Sequence, residues 1–324
     1  DAELGDIGNR VLEPVSADRV TPGQPTVYEF TIPAFADQRD GAVTFGQDGA
    51  SLPVEVSAGT LRRLEIAGGG GDAAGSIREL LVWLPEGYFD EANADRRYPV
   101  LYLHDGQNLF DTMPGGPEEW GADETAARLI EEGKVEPLII VGIPHAGAAR
   151  LSEYLPLPTP ELDVAAGGEA YRRFFYSQLV PRVDRAFRTS TRSADRGIGG
   201  ASMGGLISLY IASRDFNAQI GKVLAESPTL SFSEDPSYWQ ILFEPTSFAW
   251  RQRVLLNMGR FEVDADAAEN EANQRVQTAA FELSQAAQPA SPGFRYVLDE
   301  DGRHNEATWG SRFEQALIEL FPAE

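Results

Sequence analysis

Cysteine is absent from the 324 residues. That excludes a disulfide framework, a thiolate zinc site, an iron–sulfur cluster and a cysteine nucleophile. Positive charge is scarce: 27 basic residues face 50 acidic ones, for a formal net charge of -23. Such a surface repels nucleic acid and anionic membranes, so neither is expected as a partner. Lysine occurs only at Lys134 and Lys222. We read this as base composition, with a saline habitat as the lesser alternative. No apolar run reaches the ~18 residues needed to span a bilayer. There is no G-x-G-x-x-G, no P-loop, no H-E-x-x-H and no internal repeat. Histidine is limited to His104, His145 and His304. What is present is 42% hydrophobic sequence in periodic segments, the pattern of a folded chain. The first residue is Asp1. We read the missing methionine as a removed signal peptide or a trimmed longer chain, and expect a secreted or periplasmic protein.

Residues 1–57 stand apart. They hold ten acids, three arginines and prolines at Pro14, Pro22, Pro25, Pro33 and Pro53. Thr26–Ile32 alternates like a half-buried strand, and Ala42–Phe45 and Val54–Val56 are weaker candidates. The segment is too short for an immunoglobulin-like sandwich and is expected to be an extension; a small binding module is the alternative. Residues 58–324 form the expected main domain. Strand-like runs occur at Leu61–Ile66, Arg78–Leu84, Tyr98–His104, Leu138–Ile143, Arg196–Gly200, Lys222–Glu226, Arg253–Met258 and Phe294–Leu298. Several are continuous Val/Ile/Leu, as strands buried on both faces are. Helical spacing marks Asp123–Glu132 with Asp123 as N-cap, Glu169–Phe187 interrupted by Pro181, Met203–Ser213, Ala267–Ala287 and Trp309–Phe321. The expected fold class is α/β, with a mostly parallel eight-stranded sheet between helices.

The sharpest motif is Gly199-Gly200-Ala201-Ser202-Met203-Gly204-Gly205. It follows a buried strand and opens an apolar helix, the setting of a strained turn that projects a nucleophilic serine. A serine hydroxyl needs an adjacent base. Of the three histidines, only His304 follows the last strand. The histidine in turn needs a carboxylate to orient it. The loop after the seventh strand offers Glu262, Asp264 and Asp266; Glu262 is nearest the strand end, Asp264 is the runner-up and Asp266 is expected to cap the next helix. An oxyanion needs preorganised N–H donors. The candidates are Met203, beside the serine, and Gln107 or Asn108, in the turn after the third strand. His104 is expected to be structural or to sit beside the oxyanion hole. Asp105, Asp111, Asp123 and Glu124 are read as a solvated acidic face rather than a metal site.

Several ordered segments resemble the putative-esterase (esterase D-like) branch of the α/β-hydrolases. They are LVWLPEGY at 81–88, YPVLYLHDGQNLFD at 98–111, the helix start at Trp120 to Asp123, IIVGIP at 139–144 and Arg150-x-x-Glu153-Tyr154. They continue with GGASMGG, Glu226-Ser227-Pro228, Gly259-x-x-Glu262 and His304 to Trp309. The branch includes feruloyl and acetylxylan esterases, siderophore esterases and mycolyltransferases. The resemblance implies an α/β-hydrolase fold from about Leu61 to Phe321. It also favours Glu262 over Asp264, because the family places its acid three residues after the glycine. The chain departs from the family pattern at Arg303, where glycine is usual, and at His145, where asparagine is frequent.

The expected activity is therefore that of a serine carboxylesterase using Ser202, His304 and Glu262, with the Met203 and Gln107 amides as oxyanion donors and no cofactor or metal. Asn108, His145, Arg303 and Trp309 are candidate substrate contacts. Arg150 and Arg303 near the mouth either favour an acidic substrate or pair with neighbouring carboxylates, the more ordinary outcome. Tyr238, Trp239, Phe243, Phe248 and Trp250 either line an aryl or sugar site or cover the sheet. The substrate is expected to be a small-molecule or carbohydrate-linked ester. The alternatives are acyl transfer, a feruloyl, acetyl or siderophore trilactone ester, and a catalytically dead binding protein. Oligomeric state is not legible.

Overall fold

Eight of the strands follow the hydrophobic runs closely. In the computed structural model they are β1 (Thr60–Ala67), β2 (Ile77–Leu84), β3 (Val100–His104), β4 (Ile139–Ile143), β5 (Arg196–Ala201), β6 (Lys222–Glu226), β7 (Arg253–Phe261) and β8 (Phe294–Arg303). The structure describes residues 58–69, 77–110, 119–232, 238–243, 250–263 and 270–323, together with the backbone strands Tyr28–Phe30, Val43–Phe45 and Pro53–Val54. The sheet order is β8-β7-β6-β5-β3-β4-β2-β1, and Pro53–Val54 adds a ninth, antiparallel strand beyond β1. All eight strands of the expected sheet are present, and the added strand overlaps the weak strand candidate at Val54–Val56. Tyr28–Phe30 and Val43–Phe45 pair antiparallel in a separate two-stranded sheet. The half-burial expected of Thr26–Ile32 lies outside the described residues. β2 is antiparallel to β1 and β4, and all other main-sheet neighbours from β4 to β8 are parallel.

Strand periodicity explains why the central runs look continuous. In β3, Val100 and Tyr102 enter one core while Leu101 and Leu103 enter the other. In β7, Val254, Leu256 and Met258 face the first core and Leu255 the second. With both faces buried, the polar half of the alternation has nowhere to appear. The second core is closed by α1 (Ala122–Glu131) and α8 (Glu306–Leu320), through residues such as Leu129, Phe313 and Leu317. The first is covered by α2 (Arg150–Tyr154), α3 (Gly168–Phe174), α4 (Val180–Ala186), α5 (Met203–Ser213), α6 (Tyr238–Phe243) and α7 (Glu271–Ala287).

Four expectations need correction. α1 starts at Ala122 after Gly121, not after Asp123, because the Trp120 and Ala122 amides donate to Asn108 O and Leu109 O and fix the entry earlier. Asp123 is instead fully buried in the first turn, so it is not part of a solvated face; Asp111 lies outside the described residues. Pro181 does not break its helix. A π-type turn at Phe175–Leu179, in which Val180 N–H donates to Phe175 O, joins α3 to α4 and absorbs the missing donor. Finally, α8 begins at Glu306 rather than Trp309, because the Asn305 side chain accepts from Thr308 N at 2.9 Å.

Candidate active site

The parallel strands end along one edge, and there the site is assembled. Ser202 lies between β5 and α5 at φ 55°, ψ -124°. This is a costly conformation for any residue but glycine, and it thrusts the side chain out of the turn. The turn is possible because its neighbours lack side chains. A Cβ at Gly204 would lie 2.9 Å from Asp105 Oδ2, and one at Gly199 would lie 2.7 Å from Leu224 O. The Ser202 amide donates to Glu226 O across to β6 at 2.9 Å.

The other half comes from β7 and β8. Gly259 pairs with Asp299 and Phe261 with Arg303, so the register shifts between them. The strands approach closely there: a Cβ at Gly259 would sit 2.5 Å from Gly302 O. Because Phe261 and Arg303 are partners, the next residues of the two strands, Glu262 and His304, emerge side by side. His304 Nδ1 meets Glu262 Oε2 at 2.6 Å, and His304 Nε2 meets Ser202 Oγ at 3.0 Å. The Glu262 side chain is almost wholly buried, whereas His304 keeps 34% of its side chain exposed. Glu262 Oε1 accepts from Ser227 Oγ at 2.7 Å and from the Gly259 amide. Asp264 and Asp266 lie outside the described residues, and α7 is capped by Asn270, whose side chain accepts from Ala272 N.

Met203 is the first residue of α5, so its N–H has no intrahelical acceptor. Gln107 occupies a 3-10 turn, Gly106–Asn108, directly after β3. That turn is pressed onto β4: a Cβ at Gly106 would fall 2.4 Å from the Gly142 carbonyl carbon. Gln107 Oε1 also accepts from the His145 amide at 3.2 Å. Gln107 borders a cleft of about 350 Å³ that Ser202 and His304 also line, and Met203 follows Ser202 directly in the chain.

Asn108, His145 and Trp309 line this cleft, as does Trp120. Asn108 Nδ2 donates to Glu306 Oε1 at 3.0 Å. Trp309 stands edge-on to His304, with centroids 5.0 Å apart and planes at 84°. Partial burial holds the His145 imidazole below its ordinary range. Arg303 is not brought to the cleft; its guanidinium lies over Phe261. Arg150 borders the cleft but is engaged by Asp105 through two bonds of 2.7 and 2.8 Å. Tyr238, Trp239, Phe243 and Trp250 are buried in the first core, so they cover the sheet rather than line the site; Phe248 lies outside the described residues. His104 is fully buried, its Nδ1 2.9 Å from Ser208 Oγ and 3.0 Å from Gly199 O, and burial depresses its pKa to about 4. Sequence reasoning missed Trp120 as a cleft residue, and missed Ser227 and Arg312 beneath Glu262. The Glu226-Ser227-Pro228 motif was the available signal for Ser227.

Sheet order, elbow and edge together define an α/β hydrolase. The chain belongs to the putative-esterase family, whose model matches residues 72–320. It is 26% identical over 151 residues to YbbA, an uncharacterised protein of Bacillus subtilis (strain 168), a match covering 45% of this chain and 54% of that protein. The chain therefore spans about half the length of that curated relative. A solved ferulic acid esterase shares the fold at a TM-score of 0.53 and 24% identity, over 76% of this chain and 92% of the other. The enterobactin esterase of Shigella flexneri, solved in the presence of enterobactin, does so at 0.59 and 18% identity, over 80% and 58%.

Proposed function

We propose that this protein hydrolyses carboxylic esters through a Ser202–His304–Glu262 triad and an acyl-enzyme. The observation that carries the reading is the continuous contact from Glu262 Oε2 through both His304 nitrogens to Ser202 Oγ. His304 Nε2 takes the Ser202 proton as Oγ attacks the acyl carbon. Glu262 holds Nδ1–H and stabilises the imidazolium that forms. The Met203 and Gln107 amides hold the tetrahedral oxyanion. His304 then protonates the leaving alcohol, and water, activated by the same imidazole, cleaves the acyl-enzyme. Family membership supports this reaction class. Each step uses protein groups and water alone.

Trp120 and Trp309 supply flat apolar walls to the cleft, with ring centroids 6.3 Å apart. They favour an ester bearing an aryl group, and the ferulic acid and enterobactin esterases among the fold's neighbours lean the same way. Ser202→Ala should lower turnover of a short p-nitrophenyl ester by at least ~10⁴-fold while the fold persists. Retained turnover, or failure of Ser202 to take a fluorophosphonate label, sinks the assignment. A panel of acetyl, longer acyl, feruloyl and trilactone esters tests the aryl preference, which equal kcat/KM across the panel would remove.

A further inference from the structure

A second carboxylate lies under the proposed triad, and the mechanism above makes no use of it. Glu226 ends β6 and is fully buried. Its Oε2 pairs with Arg312 Nε at 2.9 Å, and its Oε1 accepts from Asn257 Nδ2 at 2.6 Å. Arg312, on α8, also reaches Ser227 Oγ through Nη2 at 3.1 Å. Trp309 Nε1 donates to that same oxygen at 3.1 Å. A hydroxyl has two acceptor sites and one proton. Both acceptor sites of Ser227 are taken, so its proton is directed to Glu262 Oε1, 2.7 Å away. Ser227 itself is held at φ 42° with its amide on Asn257 O at 2.7 Å, so it has little freedom to turn.

We propose that Glu226, Arg312 and Ser227 form a buried positioning relay that fixes the Glu262 carboxylate and sets the charge felt by His304. The inference rests on the triad reading for its catalytic meaning, but the electrostatic claim stands on the geometry. Arg312 cancels one of two neighbouring carboxylates, so the imidazolium faces a net single negative charge from below. Burial pushes the Glu226 carboxyl up, while Arg312 and the Asn257 amide oppose this. The other charged groups around His304 are Glu306 from α8, Asp105 with its partner Arg150 across the cleft, and Asp299 from β8, 3.9 Å from Arg312 Nη1. His145 also borders the cleft. None of these is itself substituted in the variants below, and Arg312→Met also removes the cation facing Asp299, which moves the midpoint in the same upward direction.

The test uses the full-length protein and imidazole NMR, which is tractable with three histidines; His304→Gln assigns the signal. Glu226→Gln leaves Arg312 uncompensated and should move the His304 titration midpoint down. Arg312→Met leaves two carboxylates and should move it up. Each shift is expected to be ~0.5 pH unit or more, and the double variant should return near the parent. The acidic limb of kcat/KM should follow in the same directions. Shifts of the same sign, or no shift in the isosteric Glu226→Gln protein, overturn the charge balance; that variant decides alone if Arg312→Met fails to fold. Ser227→Ala should weaken the far-downfield proton signal of the His304–Glu262 bond, and an unchanged signal overturns its positioning role. Variants that shift in these opposite directions, on a parent that turns over no ester, would defeat the functional reading and leave the relay standing.

Discussion

His104 carries a pH liability that lies outside the proposed chemistry. It is buried among Tyr154, Tyr171 and Ser208, and its pKa is depressed to about 4 from an ordinary 6.5. The unfolded chain therefore binds a proton that the folded chain refuses. The contribution is fully present above pH 6.5 and is lost as pH falls toward 4, amounting to ~3 kcal/mol. Urea unfolding across this window should show that decline, and His104→Gln should flatten it. An equal slope in both proteins would place the acid sensitivity elsewhere. At the proposed catalytic residues, Glu262→Gln should cost about 10³–10⁴-fold in kcat, because an amide cannot stabilise the imidazolium. Asp264→Asn should cost little, and a collapse there instead would reassign the acid in steady-state assays.

The decisive element is the β7–β8 pair. Its shifted register needs two backbones closer than any side chain permits, at Gly259 and Gly302. Gly259→Ala should destabilise the fold by roughly 1–3 kcal/mol. It should also lower kcat more than stability alone explains, by displacing Glu262 from His304; a melt and a rate measured on one preparation would test this. The same pair shows what could be read in advance. Strands β3 to β7 were legible because buried alternation leaves only apolar residues, and Ser202 because its glycines mark a turn. The histidine followed from scarcity. The register shift was not legible, since β7 was expected to stop at Met258 and β8 at Leu298, and nothing local says that pairing continues to Phe261 and Arg303. The Ser227–Arg312 contact was hidden for the same reason: it joins residues 85 apart. The π-type turn before Pro181 was unreadable because proline reports only its missing donor, not how a neighbouring turn absorbs the loss.

Across the whole molecule the net charge of -23 is spread, with -7 in residues 1–57 and -16 in the remainder. Anionic esters should therefore arrive more slowly than neutral ones at low ionic strength. Raising salt from 10 to 200 mM should lift kcat/KM for an anionic ester by a few fold and leave a neutral analogue unchanged. A local positive field at the cleft would reverse that trend, and Arg150, engaged by Asp105, does not supply one. The position of β8 carries a different consequence. Among the described residues it is the last strand and has a neighbour on one side only, yet it delivers His304. Strands at a sheet margin open at lower free-energy cost than central ones. Sub-global unfolding of this margin would separate base from nucleophile while the eight other strands of the sheet remain docked. In a denaturant titration, fluorophosphonate reactivity of Ser202 should therefore fade before the far-UV circular dichroism does, making inactivation and melting two separate transitions.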